Sequence, residues 1–194
     1  MKRSKVVMFV AACMLGSLFV LPLWNIILKA PQYPEPLGMD IYINKFADAN
    51  PNDIKNINIM NHYIGMEDIP ESIPEFSIFP KFVLAMMLMG FLFSFNGNPK
   101  LYLLWFGIMT ILGCLAFYDF YLWEYDYGHN LKENAAMKFT DKDGQPMAYQ
   151  PPLIGSKLIL NFVALSWPRS GAYMLFTSMF LSLYAFFHAK NNTK

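Results

Sequence analysis

Cysteine is scarce in this 194-residue sequence, and the short motifs of common enzymes are missing. The two cysteines, Cys13 and Cys114, both lie inside long apolar runs, so the polar segments carry no thiol for a disulfide or a thiolate metal site. No CxxC, CxxCH, HExxH, GxSxG or glycine-rich phosphate-loop sequence occurs. We therefore expect that the chain is not a self-contained enzyme.

Charge is scarce as well. Only 15% of the residues are charged, 55% are hydrophobic, and the mean hydropathy is +0.29. This composition differs from that of an average soluble domain and is typical of an integral membrane protein. The few basic residues lie mainly near the ends of apolar runs, which argues against nucleic-acid binding.

Four apolar stretches approach the roughly 20 residues that a helix needs to cross the hydrocarbon core of a bilayer. They comprise residues 6–28, 79–95, 101–122 and 172–188. The sequence therefore predicts a single membrane domain over residues 1–194, an all-α integral membrane protein with four transmembrane helices. The "KRSK" start is also typical of an export signal, but no A-x-A cleavage site follows, so we expect an uncleaved anchor.

Basic residues mark the predicted cytoplasmic side. The segments outside the first stretch, between the second and third, and after the fourth carry only positive charges, namely Lys2, Arg3, Lys5, Lys100, Lys190 and Lys194. Residues 30–78 instead contain eight acidic residues and two lysines. By the positive-inside rule both termini are cytoplasmic, and two long loops, residues 29–78 and 123–171, are extracytoplasmic.

The first outer loop is too long for a simple connector, so we expect it to be ordered. Three prolines within residues 31–36 favour an extended start, and "MDIYINKF" (39–46) alternates apolar and polar residues as a short strand does. "NDIKNINIMNHYIG" (52–65) predicts a short helix, with an Asn or Asp cap at its start and a glycine at its end.

The second outer loop predicts a hairpin followed by an apolar segment. Asp143-Gly144, between "MKF" and "MAY", is a typical hairpin turn. "LIGSKLILNFVALSW" (153–167) is apolar but too short for a fifth span. We expect it to form an interfacial or re-entrant helix.

Methionine, histidine and carboxylates are the metal ligands that remain in the outer loops, and thioether and imidazole donors suit Cu(I). On the predicted helix, His62 and Met66 are four residues apart and would lie on one side. We predict a copper site of His62 and Met66, with Met60 and His129. The alternative is that the methionines fill gaps in an apolar core. Further candidate ligands are Met39, Met137 and Met147.

An acidic and aromatic segment, "YDFYLWEYDYGH" (118–129), follows the third apolar stretch. Its tyrosines and tryptophan fit a belt at the level of the lipid headgroups. Asp119 lies in the last turn of the predicted span, where a carboxylate faces a partner, a water-filled cavity or the surface. Ion pairing, a proton or metal relay, and snorkelling are all compatible with this position.

Four longer phrases resemble a family of small bacterial membrane proteins. The phrases are "LPLWNIILKAPQYPEPLGM" (21–39), "NINIMNHYIGM" (56–66), "YDYGHNL" (125–131) and "YQPPLIGSKLILNF" (149–162). That family is linked to gene clusters of the atypical type of nitrous oxide reductase, which also encode copper-handling accessory proteins. The chain departs from the family pattern at Pro36, where a glycine is expected, and at Lys132-Glu133, where Asp-Pro is expected. Neither departure touches a predicted ligand.

The resemblance implies a multi-pass protein of the bacterial cytoplasmic (inner) membrane that serves an exported copper enzyme, most specifically nitrous oxide reductase. The resemblance supplies no ligand set, so the ligands are those inferred from donor chemistry. The expected role is to hold Cu(I) transiently through His62, Met66 and either His129 or Met60, or to dock the reductase or a copper chaperone. The alternative is a structural or electron-transfer subunit of a respiratory membrane complex, in which residues 118–129 and grooves of the spans bind quinol or a neighbouring subunit. A small transporter fits poorly, because only Asp119 is clearly ionisable near membrane depth.

Overall fold

The computed structural model describes residues 3–133, 135–140, 144 and 147–192. The protein is 57% helical and also contains a five-stranded antiparallel sheet. The helices are α1 Arg3–Met14, which a 3-10 helix Leu15–Phe19 continues, α2 Asp53–Ile64, α3 Glu75–Asn96, α4 Pro99–His129 and α5 Ser170–Asn191. The strands are β1 Trp24–Lys29, β2 Leu37–Ile41, β3 Phe46–Asp48, β4 Gly155–Ile159 and β5 Phe162–Pro168.

Three of these helices, α3, α4 and α5, are long and apolar enough to cross a membrane. They contain the stretches predicted at 79–95, 101–122 and 172–188, which are thereby confirmed as helices. Few of their residues are buried inside the protein, and large apolar side chains such as Leu88 and Ile111 are mostly exposed. An exposed apolar surface of this extent indicates a membrane protein whose helices contact lipid.

The prediction of a first span over residues 6–28 is wrong, and the all-α fold is wrong with it. The helical part of this stretch ends at Phe19, and Trp24–Lys29 forms the central strand of the sheet. Pro22 lacks the N–H group that a continuing helix needs. The apolar residues that follow find strand partners on both sides, in β2 and β5. Four membrane spans are therefore not shown.

The helix α1 packs between α3 and α5 through small side chains. Ala11 and Ala12 are fully buried, and a Cβ atom added at Gly90 of α3 would lie 2.7 Å from the Cβ atom of Ala12. The Ser178 hydroxyl of α5 donates to the Ala11 carbonyl oxygen at 2.6 Å. Small residues let neighbouring helices approach closely in a membrane, so this contact joins the three elements tightly.

The helix ends far from the sheet carry basic residues, Arg3, Lys5, Lys100 and Lys190. The Lys5 Nζ donates to the Phe95 carbonyl oxygen at 2.6 Å, beside the α3–α4 turn. In that turn, the Asn98 side chain accepts from the backbone N–H group of Lys100 at 3.0 Å. The structure thus separates a basic end from the sheet end, in line with the charge asymmetry behind the predicted orientation. Which end is cytoplasmic stays a prediction.

A single sheet joins the two segments that were assigned to outer loops. Its strand order is β3-β2-β1-β5-β4. Strands β1 to β3 precede α3 in the chain, whereas β4 and β5 lie between α4 and α5. β1 pairs with β5 in antiparallel register from Trp24↔Pro168 to Lys29↔Val163. We call the sheet, α2 and the segments that connect them the cap, and the two loops meet in it.

The helix predicted over residues 52–65 is confirmed as α2. Gly65 ends it with φ of +80°, a left-handed conformation that favours glycine. The Asp53 carboxylate accepts from the backbone N–H groups of Gly38 at 2.8 Å and Asn50 at 2.9 Å. These hydrogen bonds fix the start of α2 against β2.

The helix predicted over residues 153–167 is wrong, because most of this segment forms the β4–β5 hairpin. Leu160 occupies its two-residue turn with φ of +55°. Ala164 and Ser166 are both fully buried and two residues apart, as a strand with one buried face requires. An apolar run of this length fits a buried strand as well as a helix, and here the pairing with β1 decides.

Two further predictions, one of a strand and one of a turn, have mixed outcomes. The strand predicted over residues 39–46 is correct only at its ends, because β2 ends at Ile41 and β3 begins at Phe46. Asp143 of the predicted Asp143-Gly144 turn lies outside the described residues. The residues on either side of that turn are joined, since the backbone N–H group of Met147 donates to the Phe139 carbonyl oxygen at 2.9 Å.

The helix α4 is longer than the membrane is thick. Its 31 residues span about 46 Å, against about 30 Å for a hydrocarbon core. The apolar stretch ends at residue 122, and the remaining turns pack on the cap, where Trp123 and Tyr127 contact the cluster around Ile26 and Ile57. We therefore treat residues 101–122 as the membrane-spanning part of α4 and residues 123–129 as part of the cap wall.

Gly128 gives a direct test of this contact between α4 and the cap. A Cβ atom added there would lie 2.4 Å from the Cα atom of Gln150, so backbone would have to move. We expect Gly128→Ala to destabilise the protein by about 1–3 kcal/mol, as overpacking does. Thermal unfolding in detergent measures the effect. Gly113→Ala on the same helix is the control, because an added Cβ atom there meets nothing within 4 Å; equal midpoints for the two variants would contradict this packing.

Candidate functional site in the cap

A small cavity lies inside the cap, between the sheet, α2 and the end of α4. Its volume is about 60 Å³. Most of the wall is aliphatic or aromatic. The side chains whose atoms can coordinate a metal ion are three methionines, one carboxylate, one amide and two tyrosines, namely Met39, Met60, Met66, Glu124, Asn61, Tyr127 and Tyr149. This group is the strongest candidate for chemistry in the described part of the protein.

The three methionines reach the cavity from three different elements. Met39 lies on β2 and is only 3% exposed, because its side of the strand faces the apolar cluster around Ile57. Met60 lies on α2 and is half-buried. Met66 follows the Gly65 turn, which ends the helix and directs the chain back, so that Met66 is buried in the cap core. The fold therefore brings together residues that are 21 and 6 positions apart in the sequence.

Glu124 is the unusual member of the cavity wall. It is 0% exposed, and neither of its carboxylate oxygens has a hydrogen-bond partner among the described residues. Burial raises the pKa of the Glu124 carboxyl from 4.5 to about 8. A buried carboxylate without a partner is costly to the folded state, and such groups are concentrated at functional sites.

A hydrogen-bond network closes one side of the cavity. The Tyr127 hydroxyl donates to the Glu67 carbonyl oxygen. The Asn61 side-chain amide donates to the Tyr127 oxygen at 2.9 Å and to the Glu67 carbonyl oxygen at 3.3 Å. Burial is the main cause that raises the pKa of the Tyr127 phenol, so this hydroxyl remains a donor at neutral pH. The network fixes α4 against the C-terminal end of α2.

The structure separates the predicted ligands into two groups. Met60 and Met66 line the cavity, whereas His62 and His129 do not. His62 is exposed on another face of α2, in a surface groove of about 700 Å³ that Asp48, Asp68 and Glu71 also line. Because Gly65 ends the helix before Met66, the four-residue spacing does not place His62 and Met66 on one face. Metal binding by any of these residues stays a prediction.

His129 is exposed at the end of α4 and interacts within its own helix. Its ring stacks on the Tyr125 ring with centroids 4.0 Å apart. Its Nδ1 atom lies 2.7 Å from the Tyr125 carbonyl oxygen. These contacts hold the imidazole on the outside of α4, away from the cavity wall that Glu124 and Tyr127 form.

Sequence reasoning missed Glu124, which it treated only as part of the acidic and aromatic segment 118–129. The helical spacing carried a signal, because Phe120, Glu124 and Tyr127 recur at intervals of four and three residues and so share one face of α4. Phe120 and Tyr127 both pack on the cap. Asp119, the carboxylate that the sequence singled out, is half-buried and does not line the cavity.

The donor set of the cavity selects among metal ions. No group of three or more His, Cys, Asp or Glu residues that could hold a metal ion occurs within residues 3–133, 135–140, 144 and 147–192. Three thioethers beside one carboxylate instead suit a soft monovalent ion.

Comparison with known proteins gives no independent assignment. The chain matches no protein-family model, no curated protein and no solved structure.

The buried carboxyl predicts a pH-dependent stability. The pKa of Glu124 is higher in the folded state, about 8, than its ordinary value of 4.5, so the folded protein binds more protons than the unfolded chain between these values. The contribution of Glu124 to stability is then greatest below pH 4.5 and is lost as the pH rises through about 8. Glu124→Gln removes this loss and should be more stable than the wild type at pH 9, by roughly 3 kcal/mol, the scale for an uncompensated buried charge.

Thermal unfolding of both proteins across pH 4 to 9 measures this difference, and other titrating groups cancel in the comparison. Glu35→Gln, which changes an exposed glutamate, is the matched control and should follow the wild type. A constant difference between Glu124→Gln and the wild type across the whole range would show that Glu124 does not titrate in this window.

Proposed function

We propose that this protein is a membrane-anchored accessory factor for an exported copper enzyme, with nitrous oxide reductase as the specific enzyme. In this role the three apolar helices anchor the cap at the outer surface of a bacterial cytoplasmic membrane. The cap holds Cu(I) transiently or docks the reductase or a copper chaperone. The protein itself performs no catalysis.

One observation carries the proposal. The four phrases that resemble the family of reductase-linked membrane proteins are far apart in the sequence, yet all four contribute to the wall of one cavity. Of the residues that line it, all belong to these phrases except Ile69, Trp123 and Glu124. The resemblance is therefore concentrated around a site that carries thioether donors, which supports a role in copper handling.

The size of the cavity favours this role over quinol binding. Sites for drug-sized organic molecules have volumes of about 300–1,000 Å³. The cavity beside the aromatic end of α4 measures about 60 Å³. It accommodates an ion or a few water molecules rather than a quinol ring.

Docking has its own support in the groove next to His62. The groove is lined by three acidic residues and one lysine, and by the exposed side chains of Ile59 and Tyr63. The charged residues are Asp48, Asp68, Glu71 and Lys55. Acidic groups around exposed apolar side chains suit a partner with a basic, partly apolar surface. A copper-bearing partner bound at this groove would lie on α2, which also carries Met60 of the cavity.

Deletion of the gene in a bacterium that produces this type of nitrous oxide reductase tests the proposal. We expect the exported reductase to contain less copper and to lose most of its N₂O-reducing activity, while its amount in the cell extract is unchanged. The measurement is the copper content of the purified reductase per chain, with the plasmid-restored strain as the control. A fully metallated and active reductase in the deletion strain would contradict the proposal.

A further inference from the structure

The cap surrounds one cavity with three thioethers and one unpartnered carboxylate. We infer that Met39, Met60 and Met66 form a three-thioether site for a monovalent soft cation, Cu(I) or Ag(I), with the Glu124 carboxylate as its counter-charge. This inference rests on the proposed function and deepens it, because it identifies the ligands through which the cap would hold copper.

Three methionines from different elements converge on one cavity. Met39 comes from a strand, Met60 from a helix and Met66 from the segment after that helix, and the three line the same cavity of about 60 Å³. Met39 and Met66 are buried, and Met60 is half-buried. Thioether sulfur is a soft, neutral donor, and three such donors around a small cavity match the ligand preference of Cu(I).

Charge is the second argument. A monovalent cation bound by three neutral thioethers keeps its full positive charge in a site of low dielectric constant. No Lys, Arg or His lies among the described residues that line the cavity, so Glu124 is the one group there that would carry a formal charge once it has lost its proton. Binding of the cation would release the Glu124 proton to solvent. The carboxylate and the cation would then neutralise each other, which gives the buried Glu124 the partner that it lacks among the described residues.

The bound ion would also need a path to the surface, and Met60 provides it. The Gln32 side-chain amide donates to the Met60 sulfur at 3.5 Å, and Gln32 is exposed on the loop between β1 and β2. Met60 therefore contacts both the cavity and the protein surface. Glu67 and Asp68 are exposed on the following segment and would attract cations to this side of the cap.

The competing explanation is that the three methionines only fill space in the cap core, as methionine often does. The two explanations differ in what Met→Leu substitution does. Leucine has a similar volume and is well tolerated in apolar cores, so the packing is largely preserved. The thioether sulfur is lost, so an ion site is destroyed.

Metal titration of the purified full-length protein separates these explanations. The protein in detergent, free of oxygen, is titrated with Ag(I) and with Cu(I) against a competing chelator. We expect one ion per chain, about tenfold weaker binding for Met60→Leu, and about 100-fold weaker binding for the Met39→Leu/Met60→Leu/Met66→Leu variant. X-ray absorption of the loaded wild type should show a shell of sulfur neighbours that this triple variant lacks.

Matched controls keep the result specific. Met137→Leu removes an exposed thioether outside the cavity and should bind like the wild type. His62→Ala and His129→Ala should also bind like the wild type, since neither histidine lines the cavity. Glu124→Gln should weaken binding about tenfold while the sulfur shell persists. If the triple variant does not fold, Met60→Leu at the half-buried position decides, together with the sulfur shell of the wild type.

The metal titrations test the three-thioether site, whereas the deletion strain tests the proposed accessory function. Unchanged affinity in the methionine variants would overturn the site, and loss of binding in His62→Ala or His129→Ala would assign the ion to the histidines instead. Either result leaves the proposed accessory role standing if the reductase of the deletion strain lacks copper. Conversely, sulfur-bound Ag(I) in the wild type with a fully metallated reductase in the deletion strain would confirm the site and overturn the proposed function.

Discussion

The antiparallel pairing of β1 with β5 is the interaction on which the cap depends. The chain enters β1 from the α1 region and leaves β5 into α5, and α1 and α5 pack against each other. At the junction, the backbone N–H groups of Arg169 and Gly171 donate to the Leu23 and Pro22 carbonyl oxygens at 2.9 and 2.8 Å. A Cβ atom at Gly171 would lie only 2.8 Å from the Pro22 oxygen, so glycine allows this close approach. The helix pair thus continues directly into the strand pair and sets its register.

This register determines where the remaining parts of the cap lie. The Trp24 indole N–H donates to the Ser166 hydroxyl at 2.7 Å across the two strands, and that hydroxyl donates to the Leu153 carbonyl oxygen at 3.1 Å. On the other edge of β1, the Asn25 side chain donates to the Asp40 carboxylate at 2.7 Å. With both neighbours fixed, α2 and the end of α4 close over one face of the sheet and leave a small cavity. Packing around that cavity buries Glu124 without compensating it, a local conflict of the kind that proteins retain at functional sites.

Four of the helices could be predicted because their signals lie within their own sequence. Hydropathy located α3, α4 and α5, and a glycine end signal located α2. The failures at Trp24–Lys29 and at residues 153–167 have one cause. Both are short apolar runs that fit a strand or a helix equally well, and each became a strand because the other lies beside it. The two strands are separated by most of the sequence, so no local pattern could have predicted their pairing.

The candidate site was predictable in part for the same reason. The outer loops lack thiols, so methionines were predicted as soft metal ligands, and Met60 and Met66 do share a cavity. The directions of His62 and His129 could not be inferred, because they depend on where α2 ends and which face of α4 meets the cap. Glu124 became significant only once the sheet had buried it. Residues that meet only through tertiary contacts could not be predicted from their spacing in the sequence.

The donor chemistry of the proposed site suits transient holding outside a membrane. Thiolates bind Cu(I) strongly, but in an oxidising compartment they form disulfides, and the two cysteines of this chain lie in α1 and α4 away from the cap. Thioethers neither form disulfides nor need to lose a proton before they bind a metal. Neutral sulfur donors would also hold the ion less tightly than charged ones, so in the proposed site the ion could leave through the half-buried Met60. A single buried carboxylate would then supply the charge balance that thioethers lack, which would give Glu124 a chemical reason to lie where packing alone would place an apolar residue.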